Sequence, residues 1–123
     1  NSLNAFLNYG YQILLSTFNK EIVANGYLTQ IGLFHKNMFN YYNLSSDLME
    51  PFRVIIDELA YKENPQKFEK DEKRKLQNIL NFKYRINENN HYLSEVIKIY
   101  TKSIFDALNS NDLSLVRFFS DEL

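Results

Sequence analysis

Apolar residues recur along the first part of the chain with the spacing of one helix face. The stripe comprises Leu3, Phe6, Leu7, Ile13, Leu14, Phe18 and Ile22, and Gly10 falls on it. Separations of three and four residues place side chains on the same side of an α-helix. This spacing predicts one long helix from Leu3 to Val23, which Asn25-Gly26 ends. Because Gly10 costs a helix about 1 kcal/mol relative to Ala, its expected role is to admit a closely packed neighbour.

Residues 27–43 break this regularity, and a second helical pattern follows them. The intervening stretch carries Gly32, several Asn residues and no steady period, which predicts a structured loop or short turns that include His35. The next apolar stripe consists of Leu48, Phe52, Ile55, Ile56 and Leu59. It predicts a helix that has Pro51 in its first turn and ends at Asn64-Pro65.

The C-terminal half combines helices with one alternating segment. In residues 67–75 acidic side chains interleave with basic ones, as on a solvated surface, and this stretch leads into a predicted short helix through Leu76, Ile79 and Leu80. Apolar and polar residues then alternate from Phe82 to Asn87, which indicates a short strand or extended connector. A last long helix is predicted to bury Leu93, Val96, Ile97, Tyr100, Ile104 and Leu108, and a short amphipathic tail covers residues 113–119.

Composition supports a helical domain with a single core. The chain has 123 residues, of which 45% are hydrophobic and 15% aromatic, enough to bury a core without metal or disulfide staples. Three Gly and two Pro supply too few turns for many short strands. The predicted fold class is therefore all-α, with at most one short extended pair near Tyr84 to Ile86.

Charge and residue usage exclude several classes of protein. The absence of Cys removes disulfides, thiolate zinc sites and cysteine nucleophiles. A net charge of -1 argues against a protein that coats nucleic acid through bulk positive charge. No run reaches the roughly 18 apolar residues of a membrane helix, so a soluble chain without a membrane partner is expected. Because the first residue is Asn1 rather than Met, we interpret the chain as part of a longer protein.

The most informative polar residues are His35, Asp47 and Glu50. Asp47 and Glu50 are three residues apart, so on a helix their carboxylates project on one side, where an imidazole from the preceding loop could join them. Two oxygens and one nitrogen suit Mn²⁺ or Mg²⁺. The alternatives need no metal: Asp47 and Glu50 form a capping box, or Glu50 is an N-cap followed by Pro51. On spacing alone, a cap is the commoner structure.

Three ordered motifs carry a family resemblance. They are Asn4-Ala5-Phe6-Leu7-Asn8-Tyr9-Gly10-Tyr11, Gly32-Leu33-Phe34-His35 and Asp47-Leu48-Met49-Glu50-Pro51-Phe52-Arg53. Together they resemble the CRISPR-associated spacer-acquisition integrase, the Cas-one endonuclease family, and most closely its type II branch. That family has an N-terminal β-sandwich and a C-terminal helical catalytic domain. The resemblance implies that residues 1–123 form most of the helical domain, without the sandwich or the domain's upstream part.

The resemblance also implies a metal site and the roles of its residues. His35 and Glu50 would be catalytic residues that bind Mg²⁺ or Mn²⁺, and the family's further Glu ligand should precede Asn1. Asp47 would be an auxiliary acid and Arg53 an ion-pair partner on the same helix. Because two protein ligands bind a metal weakly, this chain alone is expected to be inactive.

The implied activity is phosphodiester transesterification that inserts new spacer DNA into a CRISPR array. With water as the nucleophile, the same site would act as a nuclease. The resemblance implies double-stranded DNA as partner, both spacer precursor and repeat, together with a homodimer and the small Cas-two companion protein. The expected location is the bacterial cytoplasm.

Two other classes of function compete with this interpretation. Arg85 and His91, separated by five residues, resemble the motif of HEPN ribonucleases, which cleave RNA across a dimer without metal. A helical interaction module without chemistry is the third hypothesis, and it predicts that His35 and Glu50 tolerate substitution.

Overall fold

A computed structural model of the chain describes residues 1–26 and 41–120, with side chains from residue 44 onward in the second range. Its α-helices are α1 (Ser2–Ala24), α2 (Tyr41–Met49), α3 (Arg53–Glu63), α4 (Lys70–Gln77) and α5 (Leu93–Ser110). Short 3-10 helices cover Glu50–Phe52, Asn78–Asn81 and Leu113–Leu115. Strands β1 (Lys83–Ile86) and β2 (Asn89–Tyr92) form an antiparallel pair. The predicted helical class with one extended pair is confirmed.

The first helix is the centre of the structure. Its buried residues are Phe6, Gly10, Leu14, Phe18 and Ile22, a spacing of four that keeps one face inward. Leu3 was predicted on this face but is 45% exposed, so the buried stripe begins at Phe6. Helices α2, α3, α4 and α5 all pack against α1. The buried Ser45 hydroxyl of α2 donates to the side-chain oxygen of Asn19.

Pro51 divides the predicted second helix. The structure has α2, the 3-10 helix Glu50–Phe52 and α3 in succession, and α2 already includes residues 41–43, which were predicted to be loop. Proline has no N–H to donate to the carbonyl four residues earlier, so the α-helical ladder is interrupted there. As predicted, α3 ends before Pro65, at Asn64 with φ of 42°.

Helix α4 occupies most of the charged stretch, and only its residue Leu76 is buried. This agrees with the solvated surface that the interleaved charges predicted. The Glu72 carboxylate accepts a hydrogen bond of 2.8 Å from the backbone N–H of Glu69, which lowers the pKa of Glu72. Residues 78–81, predicted to continue an α-helix, form a 3-10 helix instead.

The hairpin and the tail close the structure over α5. Positive φ angles at Asn87 and Glu88, 52° and 66°, make the tight turn between β1 and β2. Helix α5 buries the predicted residues up to Tyr100, but Leu108 lies at the exposed helix end, 63% accessible. The predicted tail begins with the 3-10 helix Leu113–Leu115, and just beyond the tail Ser120 pairs with the backbone of Arg85 at 2.8 and 2.9 Å.

Close packing explains the glycine in α1. A Cβ added at Gly10 would lie 2.6 and 2.8 Å from the Cγ2 and Cδ1 atoms of Ile56, and 3.1 Å from Leu76 Cδ2. Such distances are too short for carbon atoms that do not bond. Gly10 therefore lets α1 approach both α3 and α4, as the sequence pattern predicted.

Substituting Gly10→Ala is expected to destabilise the fold. Overpacking costs about 1–3 kcal/mol, of which the better helix propensity of Ala recovers about 1 kcal/mol. The expected net loss is thus up to about 2 kcal/mol, measured by urea unfolding. Ser16→Ala, on the exposed face of the same helix, is the matched control and should change the free energy of unfolding by less than about 0.5 kcal/mol. Equal stability of the two variants would contradict the close-approach explanation.

Candidate active site

Two of the three predicted site residues, Asp47 and Glu50, lie in the part of the chain that the structure describes. Glu50 is the first residue of the 3-10 helix between α2 and α3, and its side chain is 68% exposed. Asp47 is exposed near the end of α2. His35 lies outside the described residues. The convergence of His35 with Glu50 therefore stays a prediction.

Neither predicted helix cap forms at Glu50. Asp47 lies inside α2 rather than at a helix start, so it is not an N-cap. The residue that precedes the 3-10 helix is Met49, which makes no side-chain cap. Both capping alternatives are wrong, because the chain is already helical before it reaches this motif. The carboxylate of Glu50 contacts Arg53 instead, with 3.4 Å between Oε2 and Nη1.

Arg53 is the centre of a four-residue group, the Arg53 cluster, formed by Tyr11, Glu50, Arg53 and Asp57. The guanidinium carbon lies 4.3 Å from the centroid of the Tyr11 ring. The Tyr11 hydroxyl donates a hydrogen bond to the carboxylate of Asp57. Because Arg53 and Asp57 are four residues apart on α3, both face α1, where Tyr11 lies. The cluster thus joins two helices beside the candidate ligand.

The pKa values of Tyr11 and Arg53 are both raised, which preserves the hydrogen bonds of the cluster at neutral pH. Burial raises the pKa of the Tyr11 phenol, and the hydrogen bond to Asp57 raises it further. Hydrogen bonding with Tyr11 is the main cause that raises the pKa of Arg53, with a smaller contribution from Glu50. Tyr11 therefore remains a neutral donor and Arg53 a cation.

The donor chemistry of Glu50 fits a hard divalent cation. Its carboxylate is an oxygen donor of the kind that Mg²⁺ and Mn²⁺ prefer, and its exposure leaves it accessible from solvent. Within the part of the chain that the structure describes, no three His, Cys, Asp or Glu side chains form a group able to hold a metal. A divalent-cation site at Glu50 would therefore need residues beyond the described ones.

The sequence missed half of the Arg53 cluster. Asp57 lies in none of the three motifs, and it contacts Tyr11 although the two residues are 46 positions apart in the sequence. The available signal was the separation of four between Arg53 and Asp57, which places both on one helix face. Arg53 was predicted to be an ion-pair partner without a named acid, and the structure pairs it with Glu50.

The Arg85 and His91 pattern of the alternative ribonuclease does not converge within this chain. In the β1–β2 register, Tyr84 lies opposite His91 and Arg85 lies opposite Asn90. Directly opposed residues share a face of the sheet, and neighbours along a strand alternate between faces. Arg85 and His91 therefore lie on opposite faces of the hairpin.

A family comparison agrees with the order of the three sequence motifs. Residues 1–89 match the family model described as CRISPR associated protein Cas1, and this span includes His35, Asp47 and Glu50. The chain belongs to the Cas1 family. The family resemblance of the three motifs is thereby confirmed.

Two curated relatives have similar sequences. The chain is 39% identical over 57 residues to the "CRISPR-associated endonuclease Cas1" of Neisseria meningitidis serogroup C (strain 8013), which covers 46% of this chain and 19% of the relative. It is 41% identical over 59 residues to "CRISPR-associated protein Cas1 3" of Methanobrevibacter ruminantium, with 47% of this chain and 18% of the relative covered. The matched stretch thus spans about a fifth of each relative.

None of the helices that the structure describes combines the length and apolar character needed to cross a membrane.

Proposed function

We propose that the complete protein is a divalent-metal-dependent DNA endonuclease and integrase that joins new spacer DNA into a CRISPR array. The observation that carries the proposal is the family match over residues 1–89, which includes both motifs of the candidate site. Membership of the Cas1 family supports a role in CRISPR adaptation, and one relative is named an endonuclease. The exposed carboxylate of Glu50 provides an accessible acid in the third motif.

His35 and Glu50 are the proposed metal ligands in this chain, with a further Glu upstream of Asn1. When bound, Mg²⁺ or Mn²⁺ neutralises charge that develops on the phosphate and orients the reacting groups. Glu50 supplies negative charge from a short helix fixed by the buried Phe52. Asp47, one turn earlier, is the proposed auxiliary acid.

The proposed reaction exchanges one phosphodiester for another. The 3′-oxygen of the incoming DNA forms a bond to phosphorus at the edge of a repeat, and the bond from that phosphorus to the 3′-oxygen of the neighbouring nucleotide breaks. The attacking hydroxyl loses its proton and the leaving oxygen gains one. Because one phosphodiester forms as another breaks, no external energy source is required. With water as the nucleophile, the same exchange cuts DNA.

The proposed partners are those that the family resemblance implies. They are double-stranded DNA, as spacer precursor and as repeat, a second copy of the chain, and the Cas-two companion that would bridge two dimers. The proposed location is the bacterial cytoplasm, where the array lies.

Chelation is the test that separates the nuclease hypotheses. In the complete protein with its companion, EDTA should abolish joining of a DNA fragment to a repeat, and added Mn²⁺ or Mg²⁺ should restore it. His91→Ala is the matched control and should leave joining unchanged, since His91 lies in the hairpin and belongs to none of the motifs that carry the proposed site. RNA cleavage that persists in EDTA and is lost in His91→Ala would replace this proposal with the ribonuclease alternative.

A further inference from the structure

The ion pair between Glu50 and Arg53 differs from an ordinary surface pair. The two side chains are 68% and 41% exposed, and exposed pairs three residues apart are usually weak because both side chains move freely. Arg53 does not have this freedom. Its guanidinium lies over the ring of Tyr11, at 4.3 Å from the centroid, a stacking that suits its planar shape.

Tyr11 is itself held in place from two sides. Its backbone belongs to α1, the helix anchored by the buried side chains of Phe6 and Leu14. Its hydroxyl donates to Asp57, one turn beyond Arg53 on α3. A continuous set of contacts therefore leads from the core helix, through Tyr11 and Arg53, to an exposed carboxylate.

The two acids of the cluster have different partners. Arg53 pairs with Glu50, and its five N–H donors form a rigid fork, whereas the carboxylate of Asp57 accepts a hydrogen bond from Tyr11. One carboxylate oxygen of Glu50, Oε2, is the atom close to Arg53. The high exposure of the Glu50 side chain leaves the carboxylate accessible to a ligand from solvent. A group that served only to join α1 and α3 would not need to reach this carboxylate.

We propose that Tyr11 and Arg53 are positioning residues that set the orientation of the Glu50 carboxylate for a divalent cation. The inference rests on the proposed function, because it assigns the carboxylate of Glu50 to metal binding. Outer partners that orient a ligand are typically worth about 10 to 100-fold in metal affinity or activity. Tyr11 acts through Arg53, which in turn contacts Glu50.

Direct Mn²⁺ binding to the complete protein tests this proposal. Free Mn²⁺ is measured by electron paramagnetic resonance during a titration, and DNA joining is followed over the same range of Mn²⁺ concentrations. The variants are Arg53→Lys, which keeps the charge but loses the planar fork, Tyr11→Leu, which removes the ring, and Tyr11→Phe, which keeps the ring but not the hydroxyl. Lys102→Gln removes an exposed ion pair with Asp106 on α5 and is the matched control.

Arg53→Lys and Tyr11→Leu are expected to weaken Mn²⁺ binding by about 10 to 100-fold. Joining should fall at low Mn²⁺ and recover at high Mn²⁺, since the ligands themselves remain. Tyr11→Phe should weaken binding less than Tyr11→Leu, because the ring still supports Arg53. Lys102→Gln should bind Mn²⁺ as the unmodified protein does.

Mn²⁺ affinities within twofold of the unmodified protein in Arg53→Lys and Tyr11→Phe would overturn the proposal, and the cluster would then be a contact between helices alone. These two variants decide the question if Tyr11→Leu does not fold. Glu50→Gln separates this result from failure of the proposed function. If Glu50→Gln loses Mn²⁺ and the positioning variants do not, only the positioning role fails. If Glu50→Gln binds Mn²⁺ normally, the ligand assignment fails and the positioning role with it.

Discussion

Glu50→Gln in the complete protein is expected to abolish DNA joining and leave the fold intact. Gln keeps the size and helix propensity of Glu but removes the negative charge that a metal ligand needs. The loss of joining should exceed about 100-fold, the upper end for residues that only orient a ligand. The melting temperature should change little, because the Glu50 side chain is 68% exposed and the contact between Arg53 and Tyr11 does not involve it.

Two further variants provide a comparison for the loss of joining in Glu50→Gln. His35→Ala should abolish joining to the same extent, since His35 is the other proposed ligand in the chain. Asp47→Asn should cause a partial loss, about 10 to 100-fold, that extra metal recovers in part. A large drop in melting temperature for Glu50→Gln, with unchanged joining per folded molecule, would show that Glu50 stabilises the helix junction and does not bind metal.

Phe52→Ala is expected to give the largest loss of stability. Phe52 is fully buried two residues after Glu50 and anchors the 3-10 helix. Its ring contacts three others, at centroid distances of 5.1 Å to Phe18, 5.2 Å to Tyr100 and 4.3 Å to Phe119. Removing a buried Phe side chain leaves a cavity and typically costs about 3–5 kcal/mol.

Thermal unfolding of the complete protein measures this effect. Tyr61→Ala is the matched control, because Tyr61 is an aromatic residue on α3 that is 91% exposed, and its loss should stay within about 0.5 kcal/mol. Joining by Phe52→Ala should fall at least in proportion to its folded fraction. Equal midpoints for the two variants would contradict the assignment of Phe52 to the core.

The region around Pro51 is where the sequence pattern predicted the helix boundaries incorrectly. Apolar spacing identified the inward face, and Phe52, Ile55 and Ile56 are indeed buried. It did not show that a helix already precedes Pro51, because the residues before the motif carry no clear period. The helix start was therefore misplaced, and with it the interpretation of Asp47 and Glu50 as caps. Where a helix begins depends on the elements it packs against as well as on its own pattern.

The sequence by itself determined the helical class, the buried stripe of α1, the close approach at Gly10 and the family of the chain. Each depends on residues near one another in sequence, where helix period and motif order are visible. Only the tertiary structure decided that Tyr11 and Asp57 meet beside Arg53. The two residues are 46 positions apart, and their contact arises because Gly10 lets α1 pack closely on α3. No local pattern records such a contact, since it depends on how two helices are placed in space.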